Sequence, residues 1–329
     1  MVASRIRFMQ NEVERKIRIV GLSTPLANAK DVSNWLGVAF PGNTFNFHPS
    51  VRPTPLEIHI QGFDHNNKAV RMLAMQRPAY NAIKKALPYP SSGRNPQALV
   101  FVSDRKQARL TALDFVNFVQ SEAADKDKYK FLDVQDKARY VAEYHSKLSE
   151  HSLKSTLEYG IGFLHDGMSE AEKTYVKGLY SQGVIRVLIV IYSMSWAIDD
   201  LESHLVIVLD AERFDGHEHR SVEYSIPDML QIMGRANKTY SPKAGGVSQS
   251  AKCILYCHTP KKEYFIKFLQ EPYPIESQLD HSLHDHLNAD VVAGTIENKQ
   301  DAVDWITWTF MYRRIAQNPN YYNLAGRTG

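Results

Sequence analysis

A chain of 329 residues with 43% hydrophobic and 23% charged residues is long enough to bury two cores and too apolar to be disordered throughout, so at least two globular units are expected. The net charge of +3 is a weak sign of nucleic acid on its own; its basic surplus sits upstream, because residues 261–329 hold seven Lys/Arg against nine Asp/Glu. Arg5, Arg7, Arg15, Lys16 and Arg18 interrupt the first thirty residues, so no secretory signal is expected there, and no apolar run approaches the roughly eighteen residues of a spanning helix.

Residues 16–22 read as a strand, followed by a turn through Ser23 and Thr24 and a helix starting near Asn28 with Val32, Trp35 and Leu36 on its inner face. Residues 41–55 pass through Phe45, Phe47, Pro49, Pro53 and Pro55 without periodicity, as expected of an extended connector. From Leu56, alternation of Leu56, Ile58 and Ile60 against Glu57, His59 and Gln61 predicts a strand near a sheet edge. Continuous apolar runs at 98–102, 187–191, 205–209 and around Cys253 predict strands buried on both faces. Helical patterns around 68–86, 104–121, 137–159 and 169–181 lie between them, which points to parallel βαβ packing and an α/β fold class. The polar stretches 88–96 and 241–250 are expected to be loops.

Cys253 and Cys257 are four apart on one strand face, too far for easy bridging, and read as two reduced core thiols; no further cysteine completes a metal site, so no metal is expected. Beyond Pro260 the character becomes helical. Residues 301–314 predict one helix with a stripe through Val303, Ile306 and Phe310 and another through Trp305, Trp308, Tyr312 and Ile315, a pattern that is buried or lies at an interface. Both ends read as cuts through larger folded units, with boundaries expected at 1–50, 51–260 and 261–329.

The stretch 231–238 carries the sharpest chemistry. Behind Gly234, Arg235 and Lys238 are three apart, and a helix continuing through them puts both cations on one face, where they meet phosphates held by another lobe; Gln231 precedes them. A lysine keeps the charge but lacks the planar fork that grips phosphate with two parallel hydrogen bonds. Residues 98–107 form a buried strand ending in a polar loop, which is either a βα turn with a solvated Arg-Lys pair or a set of nucleic-acid contacts from Ser103, Arg105 and Gln107 at the carboxyl edge of the sheet. Residues 160–168 hold three glycines that permit close backbone approach, with His165 and Gly167 among them; a lone histidine there is more often a structural hydrogen-bonder than a catalyst. Ser23 and Thr24 are an ordinary helix-start turn on the plain reading.

Read together, these segments resemble the Ski-like superfamily 2 helicases that carry a Sec-type domain after a winged helix. In particular they resemble the second cassette of the large two-cassette DExH-box RNA helicases of the spliceosome. The stretch 231–238 is similar to Q-x-x-G-R-A-x-R, whose arginines act as fingers in ATP hydrolysis. Residues 187–199 are similar to V-L-x-A-T-x-T-L-A-W-G-x-N, and residues 18–36, 45–49, 51–53, 59–63, 296–304 and 317–324 also carry the likeness. The resemblance implies a RecA-like parallel lobe with part of a preceding lobe and a helical winged-helix region.

It further implies roles: Arg235, Lys238 and Gln231 as catalytic residues, Gly234, Asp199 and Ala197 at the nucleotide, and Ser23, Thr24, Ser103, Arg105, Gln107, His165, Gly167 and Ser193 at nucleic acid. ATP and magnesium are implied for a complete cassette, with spliceosomal small nuclear RNA and spliceosomal proteins as partners, no membrane, and a nuclear location. The chain departs from the pattern: Val190 and Ile191 replace Ala-Thr, Ala197 replaces Gly, Asp199 replaces Asn and Lys238 replaces Arg, each adding bulk or negative charge or weakening the phosphate grip. With no G-x-x-x-x-G-K-[ST] loop and no Walker B acidic pair, the chain alone is expected not to hydrolyse ATP. Three functions stay open: a degenerate docking cassette, a lobe supplying fingers to an active helicase, and an RNA-binding module without turnover.

Overall fold

Three uninterrupted apolar runs, each buried along its whole length, dictate the centre of the computed structural model. It describes residues 1–12, 17–38, 42–87, 95–122, 131–133, 140, 143, 146–216, 219–239, 250–272 and 274–324. They fall into two compact units, residues 52–270 and residues 1–51 together with 271–329.

The 52–270 unit is a six-stranded parallel sheet in the order β1 (Leu56–Phe63), β8 (Ala251–His258), β5 (Leu205–Leu209), β2 (Ala98–Val102), β4 (Val187–Ile191), β3 (Ile161–Leu164). The strands expected from continuous apolar runs lie in the middle. The one expected from alternation, β1, lies at an edge and buries every second residue more deeply. Helices α3 (Lys68–Ala86), α4 (Arg105–Glu122), α5 (His151–Leu157), α6 (Glu170–Ser181), α7 (Ile226–Gly234) and α8 (Lys262–Gln270) accompany the sheet. Their starts are chemical: the Asn67 side chain accepts from the amides of Ala69 and Val70, and the Ser225 side chain accepts from Asp228. The expected helix at 137–159 is seen as α5; residues 137–139, 141–142 and 144–145 lie outside the described set, as do most of the two expected polar loops. A two-stranded antiparallel hairpin, β6 (Glu212–Asp215) and β7 (Arg220–Glu223), follows β5.

At α6 the start is a reciprocal box. The Glu172 carboxylate accepts from the amide and hydroxyl of Ser169 at 3.1 and 3.0 Å, and from the amide and hydroxyl of Ser149 at 2.8 and 2.6 Å. The Ser149 bonds foremost hold its pKa down at about 2. A folded pKa below the unfolded one means a stabilisation present above 4.5 that is lost as pH falls towards 2. Glu172→Gln is therefore expected to cost about 2 kcal/mol at neutral pH. In urea unfolding the gap to wild type closes between those two pH values; a pH-independent gap contradicts the assignment.

The second unit contains α1 (Val2–Glu12), α2 (Ala29–Leu36), α9 (Leu283–Val292), α10 (Lys299–Thr307) and α11 (Phe310–Gln317). Both ends of the chain build it. The Asn28 amide group donates to the carbonyl of Ile275 and accepts from its amide, Trp35 Nε1 donates to the Trp308 carbonyl at 2.9 Å, and Arg314 binds Asp31 and Glu276 at 2.6 Å each.

Three expectations are corrected. Residues 17–22 form no strand, since no described residue pairs with them and a lone extended segment has no ladder. The helix expected over 301–314 is two helices, because the Thr309 side chain caps α11 by accepting from the amide of Tyr312. The sheet unit extends past 260 to Gln270, because Phe265 and Leu269 of α8 are buried, with α8 lying on β1 and α7.

Candidate functional site

Parallel strands present all their carboxyl ends at one edge, where open α/β sheets bind ligands. The loops after β2, β4 and β3 are neighbours there because those strands are neighbours. This topology gathers Ser103, Arg105, Gln107, His165, Gly167 and Ser193 from three separate stretches of sequence. Ser23 and Thr24 belong to the other unit, on the segment leading into α2.

Within this edge the basic and polar groups are already engaged. Asp104 caps α4, accepting from the Gln107 amide at 2.9 Å and from the Ser103 hydroxyl at 2.8 Å. Arg105 pairs with Asp166 and lies over Gly167, where an added Cβ would be 2.9 Å from the guanidinium. The Arg105 hydrogen bond holds Asp166 below the usual carboxylate range. His165 is 2% exposed, so direct surface contact is corrected to a buried position. Its Nε2 is 3.2 Å from Glu150, which Arg109 also holds, and its ring stacks on Phe163. Ser193 stays exposed beside Trp196, which is 62% exposed and reaches Asp228 at 3.4 Å. Asp228 also accepts from the Ser225 and Tyr192 hydroxyls, and Tyr192 stacks on buried Tyr224 at 3.9 Å. Burial foremost pushes the Tyr192 hydroxyl well above its ordinary pKa.

The pair Arg235 and Lys238 is corrected in two respects. Helix α7 stops at Gly234, so the two cations share no helix face. Arg235, expected to meet phosphates held by another lobe, is only 8% exposed. Its guanidinium donates to the Asp199 carbonyl at 2.6 Å and the Ser195 carbonyl at 3.4 Å, with Nε buried and unpartnered. Burial lowers its pKa from the ordinary arginine value. Lys238 points elsewhere: its Nζ is 3.5 Å from Gln97 Oε1 and its carbonyl 3.2 Å from His204 Nδ1. Gln97 and His204 lead into β2 and β5, so Lys238 lies at the amino edge of the sheet, opposite the loops described above.

Asp199 and Ala197 are exposed, the Ala197 carbonyl accepting from Lys177, and Gln231 is half-buried. A methyl at Gly234 would meet nothing within 4 Å. Arg235 is held by two carbonyls of its own lobe and Lys238 sits at the opposite edge of the sheet, so the two cations do not converge on one triphosphate. Among the described residues no group of three His, Cys, Asp or Glu could hold a metal ion. Cys253 and Cys257 are buried free thiols on β8, raised by burial to about 12 and about 11.

Two supports were not legible as such. Arg52, part of a stretch with the family likeness but given no role, donates to the Ala236 carbonyl at 2.7 Å, and the Thr54 hydroxyl donates to the Asn237 carbonyl at 3.1 Å. Together with the Ser203 amide on the Arg235 carbonyl at 2.8 Å, they clamp the stretch that carries Arg235. Arg71 holds Asp210 and Glu212 at the root of the hairpin.

These features define a class, a parallel α/β lobe with a loop-built carboxyl edge, accompanied by a mainly helical unit. Residues 276–329 match a family described as Winged Helix-turn-helix domain. Over 326 residues, 99% of its length, the chain is 47% identical to the U5 small nuclear ribonucleoprotein 200 kDa helicase of Homo sapiens. It is 46% identical over 326 residues to the DExH-box ATP-dependent RNA helicase DExH12 of Arabidopsis thaliana. It is 41% identical over 334 residues to the Activating signal cointegrator 1 complex subunit 3-like protein of Dictyostelium discoideum. The chain spans 14% of the length of each of these relatives. Among the described residues no helix is long and apolar enough to cross a membrane.

Proposed function

We propose that this chain is part of a helicase cassette of the spliceosomal DExH-box type, comprising the second RecA-like lobe, the end of the first and most of a winged helix. In this reading the cassette is the second, degenerate one, which docks regulatory and spliceosomal proteins in the nucleus instead of driving RNA unwinding. The likeness to relatives named as spliceosomal and DExH-box helicases supports the class. One observation supports the degenerate reading: the Arg235 guanidinium is largely buried and anchored on the Asp199 and Ser195 carbonyls of its own lobe. A finger residue must present free donors to the transferring phosphate, and loss of that contact costs orders of magnitude in rate. ATP and magnesium would be seated by sequence outside this chain.

The test is ATP turnover by a longer protein in which this lobe faces an upstream lobe with an intact phosphate loop. Turnover is expected at background, and Lys238→Arg is expected to leave it unchanged, because residue 238 faces Gln97 at the amino edge. Turnover above background that Lys238→Arg raises at least about tenfold favours the finger role. RNA held without turnover is the remaining reading, favoured by exposed Ser193 and Trp196 at the carboxyl edge. It predicts RNA affinity that falls steeply with salt.

A further inference from the structure

Strand β1 ends the sheet and is hydrogen-bonded on one side only, to β8. Among the described residues no other strand pairs with its outer side, which therefore presents a row of backbone donors and acceptors. Such edges are usually blunted by proline, a bulge or charged side chains. Here Leu56–Phe63 contains no proline and no bulge, its one charged acid, Glu57, lies at the start, and its register to β8 is continuous over all eight residues.

Beside this edge lies a cavity of about 520 Å³ lined by residues 58–61, by Ile254 and Tyr256 of β8, and by Lys262 and Ile266, four residues apart on α8. Gly62 closes one end. An added Cβ there would come within 3.0 Å of the Thr259 Cα, so the turn after β8 packs directly on it and the open stretch is 57–61. The electrostatics have a sign. Glu57 is satisfied by Lys252 at 3.4 Å and by the Ser250 hydroxyl. Lys262 has no anionic partner among the described residues, so the groove, whose lining mixes polar and apolar side chains, carries an uncompensated cation beside Ile266.

We propose that this edge is a docking site for an extended partner segment of alternating acidic and apolar residues, which adds to β1 as a further strand. Main-chain bonds along 57–61 supply affinity, apolar side chains rest on Ile266, and an acidic side chain meets Lys262. The site owes nothing to the reading of Arg235, and its test involves no nucleotide, so either can fail alone.

A blocked decapeptide of five Val-Glu repeats, added to the full chain, is the probe, read by amide hydrogen exchange. The expected result is a roughly tenfold slowing of exchange confined to residues 57–61. The same peptide N-methylated at alternate residues, which keeps the side chains but blocks ladder formation, is expected to give none. Five Val-Lys repeats bind poorly to the wild type and better to Lys262→Glu, whose urea midpoint confirms an intact fold. Equal effects from the N-methylated peptide, slowing elsewhere in the chain, or no slowing at all overturn the proposal. So does protection of 57–61 without peptide that tracks concentration-dependent dimerisation, because then the occupant is a second copy of this chain.

Discussion

Arg71→Leu is expected to lower stability by about 3–5 kcal/mol, measured by urea unfolding followed by tryptophan fluorescence. The Arg71 guanidinium is buried in α3 and donates to both oxygens of Asp210 at 2.9 and 3.0 Å, to Glu212 at 2.9 Å and to the His65 carbonyl at 3.0 Å. The Asp210 side chain is fully buried, and its residue adopts a left-handed φ of 57°, a conformation that aspartate tolerates better than most. Leucine at 71 removes the cation that pairs with Asp210 and strands an acid away from water, which costs far more than the pair itself contributes. Arg71→Met combined with Asp210→Asn is accordingly expected to recover most of the loss, since the amide has no charge to desolvate and also tolerates the left-handed backbone.

The consequence for the edge is local. Glu212 opens the β6–β7 hairpin and is held by Arg71 and by Lys68, whose Nζ donates to its carbonyl at 3.2 Å. Hydrogen exchange across 212–223 should therefore quicken in Arg71→Leu well before the sheet opens. A loss below about 1 kcal/mol would mean that the acids find water in the native state and that the clamp is ornamental.

What the chain announced in advance depended on the range of the forces involved. Uninterrupted apolar residues at 98–102, 187–191 and 205–209 can hide only inside a sheet covered on both faces, so these strands begin and end where the pattern does. The alternation at Leu56 located the edge strand for the same reason in reverse. By contrast β3 spans four residues with Gly160 and Gly162 at its start, too short and too glycine-rich to signal a strand, although Gly162 is there because an added Cβ would lie 2.8 Å from Ile185 Cδ1. The hairpin strands Glu-Arg-Phe-Asp and Arg-Ser-Val-Glu are polar on both faces and carry no period at all.

The candidate site was legible as composition and not as geometry. Topology does bring Ser103, Arg105, Gln107, Gly167 and Ser193 to one edge. The direction of Arg235, however, is set by residues remote in sequence: Ser203, whose amide binds its carbonyl, Arg52, which holds the next carbonyl, and the Asp199 carbonyl that takes the guanidinium. A motif written as consecutive letters suggested a helix continuing to Lys238. The chain instead leaves the helix to form a parallel bridge between Ala236 and Ser203, a long-range pairing that no local propensity encodes.

Gly160→Ala is expected to destabilise the lobe by roughly 3 kcal/mol or more and to disturb the carboxyl edge at a distance. Gly160 has φ +76°, which an alanine adopts only with strain, and an added Cβ would lie 2.1 Å from the carbonyl carbon and oxygen of Phe131. Those atoms are backbone and cannot rotate aside. They are also fixed: the Phe131 amide donates to the Tyr159 carbonyl, the Arg186 amide donates to both the Phe131 and Gly160 carbonyls, and Leu132 bridges Ile185. To admit the methyl, residues 131–132 must withdraw, breaking the contacts that tie them to the start of β4. Because β3 runs only from Ile161 to Leu164 before reaching His165, a shift at its first residue propagates to the loop holding His165, Asp166 and Gly167. Gly178→Ala, at a position where an added Cβ meets nothing within 4 Å, provides the control; inside α6 it should stabilise by about 0.5–1 kcal/mol. The two alanines are to be compared by urea unfolding and by exchange of the 161–168 amides. Similar behaviour of the two variants would show that Phe131 yields freely and that the tight crossing at Gly160 does not hold β3 in place.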